Sequence, residues 1–583
     1  MNPYVLLKIR RFEGQSVWLL GRTPVGVLVA QSYADVLPVL SEVERATQRG
    51  LTAVGFVAYE AAHGLDKAFP PARAKTPLAW FALYRQLETH DAPPLHPVGF
   101  EQDILWRPTL SEHAYRCALE RIRAYIEAGD VYQVNYTFRL RSEWSSEPSE
   151  LLTLFGQLYC AQPVPYAAAL DTGAQAILSL SPELLFALEG ERIITRPMKG
   201  TAPRGVTLAD DLRQAQALRT CAKNRAENLM IVDMARNDLG RIARVGSVRA
   251  TRLFETERYT TLWQMTSTVE ACTDAPLPEI FRALFPAASI TGAPKIRATQ
   301  IIHELETTPR GVYTGAIGVV APHRRAQFNV AIRTLVYDRA EQQMEYGVGS
   351  GVVWDSDPHA EYEECLAKAQ VLIRRTPEFE LLETLLWRPR GGYFLLEQHL
   401  QRLLRSAGYF GFSVDAGAVR AKLLEAAQRF TACLRYRVRL RVNRRGEACV
   451  EYAPRPHAPQ PWRVALAAEP VSPRDVFLYH KTTHRAVYEQ ARAARPDCDD
   501  IILWNTRGEI TESTIANVAV RLDGRLYTPP VACGLLAGVY RERMLKRGWV
   551  HERVIRVDEL ARAEAIYLIN SVRGRVRAQL IRA

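Results

Sequence analysis

Two sets of residues in this chain have the types and spacing for chemistry. In the first half, Asp357-Pro358 opens a helix running to about Ile373, on which Glu361 and Glu364 are three apart and share a face. Glu227 lies in another helical stretch, Ala222 to Ala235. Three converging carboxylates suit a hard cation such as Mg2+, which prefers oxygen ligands and keeps several waters. Acids at this spacing are equally the makings of a solvated helix face. The run Gly347-Val348-Gly349-Ser350-Gly351, just upstream, either lets backbone N–H groups approach an anion or forms a bulged strand end. It lacks the spacing of a nucleotide fingerprint. In the second half, Lys481, Glu512 and Arg402 offer an amine, an acid and a cation. A cofactor with an aldehyde, a ring nitrogen and a phosphate needs those three groups. The turn at Gly538 opens a helix through about Lys546, whose first amides, Val539 and Tyr540, favour a phosphate. Singly, each is as often an ordinary surface residue.

The elements that must hold these groups follow from local signals. Ser111 begins a helix in which Leu119, Ile122 and Ile126 share a face, ending at Gly129. Thr291-Gly292-Ala293-Pro294-Lys295 is a turn feeding a helix with proline near its first turn. Strand-like runs alternate with amphipathic helices throughout, which predicts an α+β chain. One boundary, Arg374 to Glu378, divides it into residues 1–375 and 376–583 before a strand-like run, Phe379 to Trp387. A turn-rich stretch with four prolines, Ala453 to Pro461, crosses between lobes of the second half.

At 583 residues the chain exceeds one typical core. Its 48% apolar and 24% charged residues are those of a globular protein, and no apolar run approaches the ~20 residues of a membrane span. Met1 to Leu7 lacks the features of a signal peptide. Nine cysteines without CxxC spacing point to a reducing, cytoplasmic setting and away from disulfides or zinc. The net charge of +12 invites nucleic acid, but arginines are scattered beside acids, as in Arg541-Glu542-Arg543, with no polybasic tail. Anionic small substrates account for that balance instead.

Nine stretches of the first half stand in one familiar order. They are Gly129 to Asn135, Ser181-Pro182-Glu183, Arg196 to Thr201, Glu227 to Asp233, Arg236 to Gly240, Ser289 to Lys295, Tyr313 to Gly318, Gly349-Ser350-Gly351, and Asp355 to Glu364. In these the chain resembles the chorismate-utilising enzymes, which implies two facing sheets with the active site between them. Lys199 selects a branch: anthranilate synthases carry alanine there, whereas aminodeoxychorismate synthases carry lysine. The resemblance implies that Lys199, made neutral by burial or a nearby metal, attacks C2 of chorismate and expels the 4-hydroxyl. Ammonia then attacks C4 and expels the lysine. Glu183 matches the general acid for hydroxyl departure, and Glu227, Glu361 and Glu364 match Mg2+ ligands. Thr201, Thr291, Tyr313, Arg333, Gly349, Ser350, Gly351 and Lys368 match substrate-contacting positions. Gln133 stands where isochorismate and salicylate synthases carry a water-activating lysine, which favours ammonia over water. Gln264 and Asn224 depart from a histidine and a glutamate in some relatives. No Gly-x-Cys-x-Gly elbow is present, so ammonia is expected from a separate glutamine amidotransferase subunit.

From Phe379 onward, Arg402, Lys481, Glu512-Ser513, the Gly534 to Arg541 turn with Val539 and Tyr540, and Ile569 to Gly574 resemble the fold type IV pyridoxal 5'-phosphate enzymes. The last stretch is more like lyases than transaminases. The resemblance implies that Lys481 carries the cofactor, Glu512 protonates its ring nitrogen, and the other positions hold its phosphate. It also implies homodimers, and, at about 200 residues, a small lobe that is reduced or completed by the first half. The pairing predicts conversion of chorismate to 4-aminobenzoate by a synthase and a lyase. The alternative is an active synthase with a degenerate or transaminase-like second half.

Overall fold

The computed structural model describes residues 4–581 except 13, 73, 96–103, 145–147, 373–376, 432 and 456–459. The expected boundary at Arg374 to Thr376, the expected helix end at Ile373 and part of the proline-rich stretch lie outside the described residues. Two compact units are present, one of Met1–Pro203 with Ala215–Thr376, the other of Arg204–Gln214 with Pro377–Ala583.

The first unit is built on two antiparallel sheets, each of ten strands among the described residues. One runs Gly292–Ala293, Gln133–Glu143, Gln343–Val352, Thr334–Asp338, Gln175–Ser181, Tyr166–Asp171, Tyr4–Arg10, and so to Glu88–His90. The other begins Met198–Pro203, Leu262–Cys272, Arg192–Arg196, Leu184–Glu189 and ends at Gly26–Ala30. Period-two alternation explains their burial on both faces. Val5 and Leu7 meet Val54, Phe56 and Ile317 of the other sheet in a shared core, while Leu6 between them joins Trp18 and Tyr115 on the outer face. Helices cover the outer faces. Ser111 caps Glu112–Glu127 by accepting from Ala114 N, and Asp357 caps Pro358–Ala369 by accepting from Ala360 N. That second helix ends four residues before the expected Ile373, passing into a tighter turn, Gln370–Leu372. Ala222–Gly240 is longer than expected by a turn.

In the second unit the strands Gly392–Tyr393, Leu381–Arg388, Tyr436–Val442 and Ala448–Pro454 form a small sheet. Helices Leu396–Phe410 and Ala416–Ala427 pack on it through Leu400, Leu403, Val419 and Leu423. The small lobe therefore has a core of its own. The larger sheet has eight strands among the described residues, and Ile510–Ser513 pairs with both Asp500–Trp504 and Asn517–Leu522. That double pairing closes six strands into a barrel, which removes two open edges.

Candidate active sites

Lys199 owes its position to an irregularity. The strand Met198–Pro203 pairs with Leu262–Cys272, but the register slips between Met198 and Thr201. Such a slip re-aims a side chain. Gly200 supplies the φ of +101° this requires. Asn228 donates through Nδ2 to the Lys199 carbonyl at 3.1 Å, and its Oδ1 accepts from Ser267 Oγ at 2.6 Å, so the backbone is held from below. Burial lowers the pKa of Lys199 and outweighs the opposing pull of Glu227, whose carboxylate is 3.9 Å from Nζ.

Opposite the lysine lies the glycine run. It pairs without a bulge to Gln133–Glu143, with Gly347 facing Arg139 and Gly351 facing Asn135, so the bulged-end reading does not hold. The neighbouring strand on its other side pairs only as far as Tyr346, leaving the stretch beyond without a strand partner there. Glycines at every second position bare one face. A Cβ on Gly347 would strike the Tyr313 ring at 2.3 Å, and one on Gly351 would lie 2.9 Å from Lys199 Nζ and 3.0 Å from Gln133 Nε2. The alternate residues Val348 and Val352 enter the core, and Ser350 Oγ bonds Tyr115 Oη at 2.8 Å. Gly349, Ser350 and Gly351 thus offer backbone to the site, while the Ser350 hydroxyl faces away.

Two groups here are buried and unpartnered, which is costly unless a ligand completes them. Gln133 is fully buried with neither amide atom hydrogen-bonded. Arg333, at φ +52°, has its Nη1 buried and without a partner. Lys368 donates to the Gly349 carbonyl at 2.9 Å. The Thr291 hydroxyl donates to Ala287 O at 3.0 Å, and Thr201, exposed, donates to Gln264 Oε1 at 3.2 Å. Tyr313 is buried beneath the Arg139 guanidinium, 4.9 Å from its ring.

The three acids expected to converge on one cation do not. Glu227, Glu361 and Glu364 all act electrostatically on Lys199. Yet among the described residues no three Asp, Glu, His or Cys side chains gather into a metal site. Lys368, one turn on from Glu364, takes its carboxylate at 2.7 Å, and Ser356 Oγ takes Glu361 at 2.7 Å. The donor chemistry suits a hard cation; the arrangement is not that of a closed site.

Glu183 is buried, and burial raises its pKa to about 7 against the pull of neighbours that include Lys199. It is therefore protonated below about pH 7 and can donate a proton there. A lysine acting as nucleophile must be neutral, which favours higher pH, so if Lys199 and Glu183 act as amine and acid the rate at this site should be bell-shaped in pH. The alkaline limb should belong to Glu183. Glu183→Gln is expected to remove that limb and lower the maximum by about 10²–10⁴-fold, the usual contribution of a general acid. A pH–rate profile with both limbs intact in the variant would rule this role out.

The second unit holds a cavity of about 470 Å3 lined by Lys481, Glu512, Arg402, Ser513, Val539 and Tyr540. Burial, then Arg402 and Arg485, lower Lys481 to about 8. Its neighbour His480 is fixed by Ser406 Oγ at 2.9 Å, by the Val206 carbonyl at 3.1 Å, and by the Tyr409 ring stacked at 4.5 Å. Glu512 accepts from Tyr488 Oη at 2.8 Å, Leu536 N at 3.2 Å and Asn517 Nδ2 at 3.3 Å, and burial raises it to about 7. The helix Val539–Lys546 starts at Gly538 without a side-chain cap. A Cβ on Gly538 would overlap Asn517 Oδ1 at 1.9 Å, so only glycine admits this approach. The Ser513 hydroxyl closes its own turn on Ala516. An amine, a buried acid and a bare helix start around one cavity fit an aldehyde, a ring nitrogen and a phosphate.

Sequence reasoning missed several groups here. Glu383 accepts from Arg402 Nε at 2.8 Å and Nη2 at 2.6 Å and pairs with His399 Nδ1 at 2.7 Å; these partners, the guanidinium first, outweigh burial and hold it at about 2. Arg402 is thus anchored along one edge of its fork. Arg437, Arg439, Arg485, Arg492 and Arg573 also line the cavity. The alternation Arg437-Val438-Arg439-Leu440-Arg441 was a readable signal for one arginine-bearing strand face.

A family model for chorismate binding enzymes matches residues 27–374, more than half of the chain. The chain belongs to the chorismate binding enzymes. Following that region, a model for the class IV amino-transferases matches residues 380–581. Among related chorismate binding enzymes, an aminodeoxychorismate synthase of Streptomyces griseus is 44% identical over 252 residues, 43% of this chain and 34% of that one. An anthranilate synthase component 1 of Haloarcula marismortui is 41% identical over 262 residues, 45% and 53% of the two chains. The chain spans between a third and just over half the length of these curated relatives. The crystal structure of anthranilate synthase component I from Streptococcus pneumoniae superposes with a TM-score of 0.52 at 24% identity, covering 64% of this chain and 91% of that one. That likeness establishes the two-sheet fold of the first unit. The residues matched by the chorismate binding model include Lys199, Glu183 and the glycine run.

Proposed function

We propose that this chain makes 4-aminobenzoate from chorismate in two steps, the first at Lys199 and the second at Lys481. The observation that carries the reading is the register slip that sets a buried amine of lowered pKa, Lys199, against Gly351 and near Glu183. The neutral amine attacks C2 of the ring as the C4 hydroxyl leaves with a proton from Glu183. Ammonia then adds at C4, the double bonds return, and Lys199 departs as the free amine, so that water is the net product beside 4-amino-4-deoxychorismate. Arg333 and the open edge of the glycine run are suited to the substrate's carboxylates by charge-assisted hydrogen bonds. Glu227, Glu361 and Glu364 are the residues that would hold Mg2+, which needs only one or two carboxylates when waters complete its shell. Ammonia comes from a separate glutamine amidotransferase.

In the second unit, pyridoxal 5'-phosphate when bound would supply an aldehyde and an electron sink. Lys481, near pKa 8, can hold or release a proton close to neutrality, and Glu512 would stabilise a protonated ring nitrogen. The arginines lining the cavity suit a substrate with two carboxylates, which favours pyruvate elimination from aminodeoxychorismate. Full-length protein supplied with chorismate, ammonium, Mg2+ and pyridoxal phosphate should yield 4-aminobenzoate and pyruvate in equal amounts by mass spectrometry. Anthranilate would refute the first step. Aminodeoxychorismate without pyruvate, or keto-acid exchange alone, would refute the second.

A further inference from the structure

Behind the Lys199 site lies a buried ion network that the reaction above does not use. Arg310 and Glu306 are nearly solvent-free, with Nη2 2.7 Å and Nε 3.0 Å from the carboxylate. The other hydrogen bonds of the guanidinium run mainly to backbone, with Thr314 Oγ1 accepting from Nη1 at 3.5 Å. Nη1 donates to the Ile290 carbonyl at 2.9 Å and Nη2 to the Asn135 carbonyl at 2.8 Å. The Tyr59 ring lies 4.5 Å beneath it, and Glu60 accepts from Arg310 N at 2.7 Å, which fixes the main chain at its root. Glu306 also accepts from Thr137 N at 2.8 Å and Thr137 Oγ1 at 2.9 Å.

The two carbonyls belong to segments that meet at the site. Ile290 precedes Thr291, whose own carbonyl accepts from Asn135 N at 2.8 Å. Gly292 and Ala293 then pair with Val134 and Gln133. Above Gly351, Asn135 Oδ1, Gln133 Nε2 and Lys199 Nζ all come within 3.0 Å of where a Cβ would stand. Arg310 touches none of these side chains, yet it ties the strand that carries Gln133 and Asn135 to the segment that leads into Thr291. A planar fork with fixed donor directions can hold two carbonyls and a carboxylate at once; a lysine ammonium cannot hold that plane.

We propose that Arg310 is a positioning residue for amination at Lys199, holding the Ile290 and Asn135 carbonyls so that Gln133 and Asn135 keep their places around Gly351 and Thr291 keeps its bond to Asn135 N. This rests on the proposed reaction, and the experiment separates the two. Full-length wild type is first assayed for ammonia-dependent consumption of chorismate; no turnover sinks the proposed reaction and this role with it. The amplitude of the first unit's cooperative unfolding transition, followed by circular dichroism, measures its folded fraction in every variant. With Arg310→Lys, kcat per folded molecule should fall about 100-fold, the scale of an ångström of misplacement. KM for chorismate should stay within about threefold, and both limbs of the pH profile should keep their wild-type positions. Glu306→Gln, which keeps shape but loosens the fork, should lower kcat in the same sense, and the double variant should lose less than the product of the two. A wild-type kcat per folded molecule in Arg310→Lys, or in Glu306→Gln should Arg310→Lys not fold, overturns the proposal. So does a loss confined to KM.

Discussion

Replacing Lys199 by alanine is expected to stop amination of chorismate while leaving pyruvate release from supplied aminodeoxychorismate untouched. The loss should be on the order of 10⁴-fold or more, the scale seen when a covalent nucleophile is removed. The physical basis is the combination of burial, which lowers the pKa of the amine, and the register slip that turns it toward Gly351. No neighbouring group can substitute, because Lys368 is engaged by Glu364 and by the Gly349 carbonyl. Ammonia-dependent turnover within tenfold of wild type would show that ammonia attacks the ring without a covalent enzyme intermediate. Mass spectrometry of wild type quenched during turnover with chorismate alone provides a second check, since the proposed adduct would sit on the peptide containing residue 199.

Lys481→Ala should have the mirror-image effect. Pyruvate release should fall by about 10³-fold or more, because the variant loses both the amine and the proton carrier of that cavity. Amination at Lys199 should proceed at the wild-type rate and aminodeoxychorismate should accumulate. The variant should also fail to retain pyridoxal phosphate after borohydride treatment, while wild type keeps it covalently attached to the peptide bearing residue 481. Retention by Lys481→Ala at another lysine would move the assignment elsewhere. The pKa of about 8 makes the amine partly neutral at neutral pH, and Arg402 and Arg485 contribute to that along with burial. Because Glu383 anchors Arg402, the lysine's environment depends on a pair that lies 98 or fewer residues away in sequence only on one side of it, in the small lobe.

Local chemistry was readable without coordinates. Ser111 and Asp357 announced helix starts because a short polar side chain can accept from the third amide beyond it, a purely local bond. Gly538 marked a helix start for a different local reason, since a residue without a side chain leaves the first amides of the helix bare. Lys199, Lys481 and Glu512 stood out only through the family resemblance carried by their flanking residues, since singly each is as often an ordinary surface residue. The spacing of Gly347, Gly349 and Gly351 already contained the bare strand face, since strand periodicity is two. What that face was bared for, a tyrosine ring and a lysine from distant segments, was not in the spacing.

Long-range groups decided the rest. Glu306 and Arg310 look in sequence like any i,i+4 pair, a surface feature of small value; only the packing of both against Asn135 and Ile290 makes them a buried strut. Glu383 carries no sequence signal, because its partners lie on a helix that follows the next turn. The three acids assigned to a cation each meet a partner of their own, Glu364 with Lys368, Glu361 with Ser356 and Glu227 with Lys199. The sequence by itself determined which residues could react and which local elements would carry them, since propensity, capping and alternation act over a few residues. Only the tertiary structure decided which charges meet, because burial and pairing depend on segments brought together across the whole of each unit.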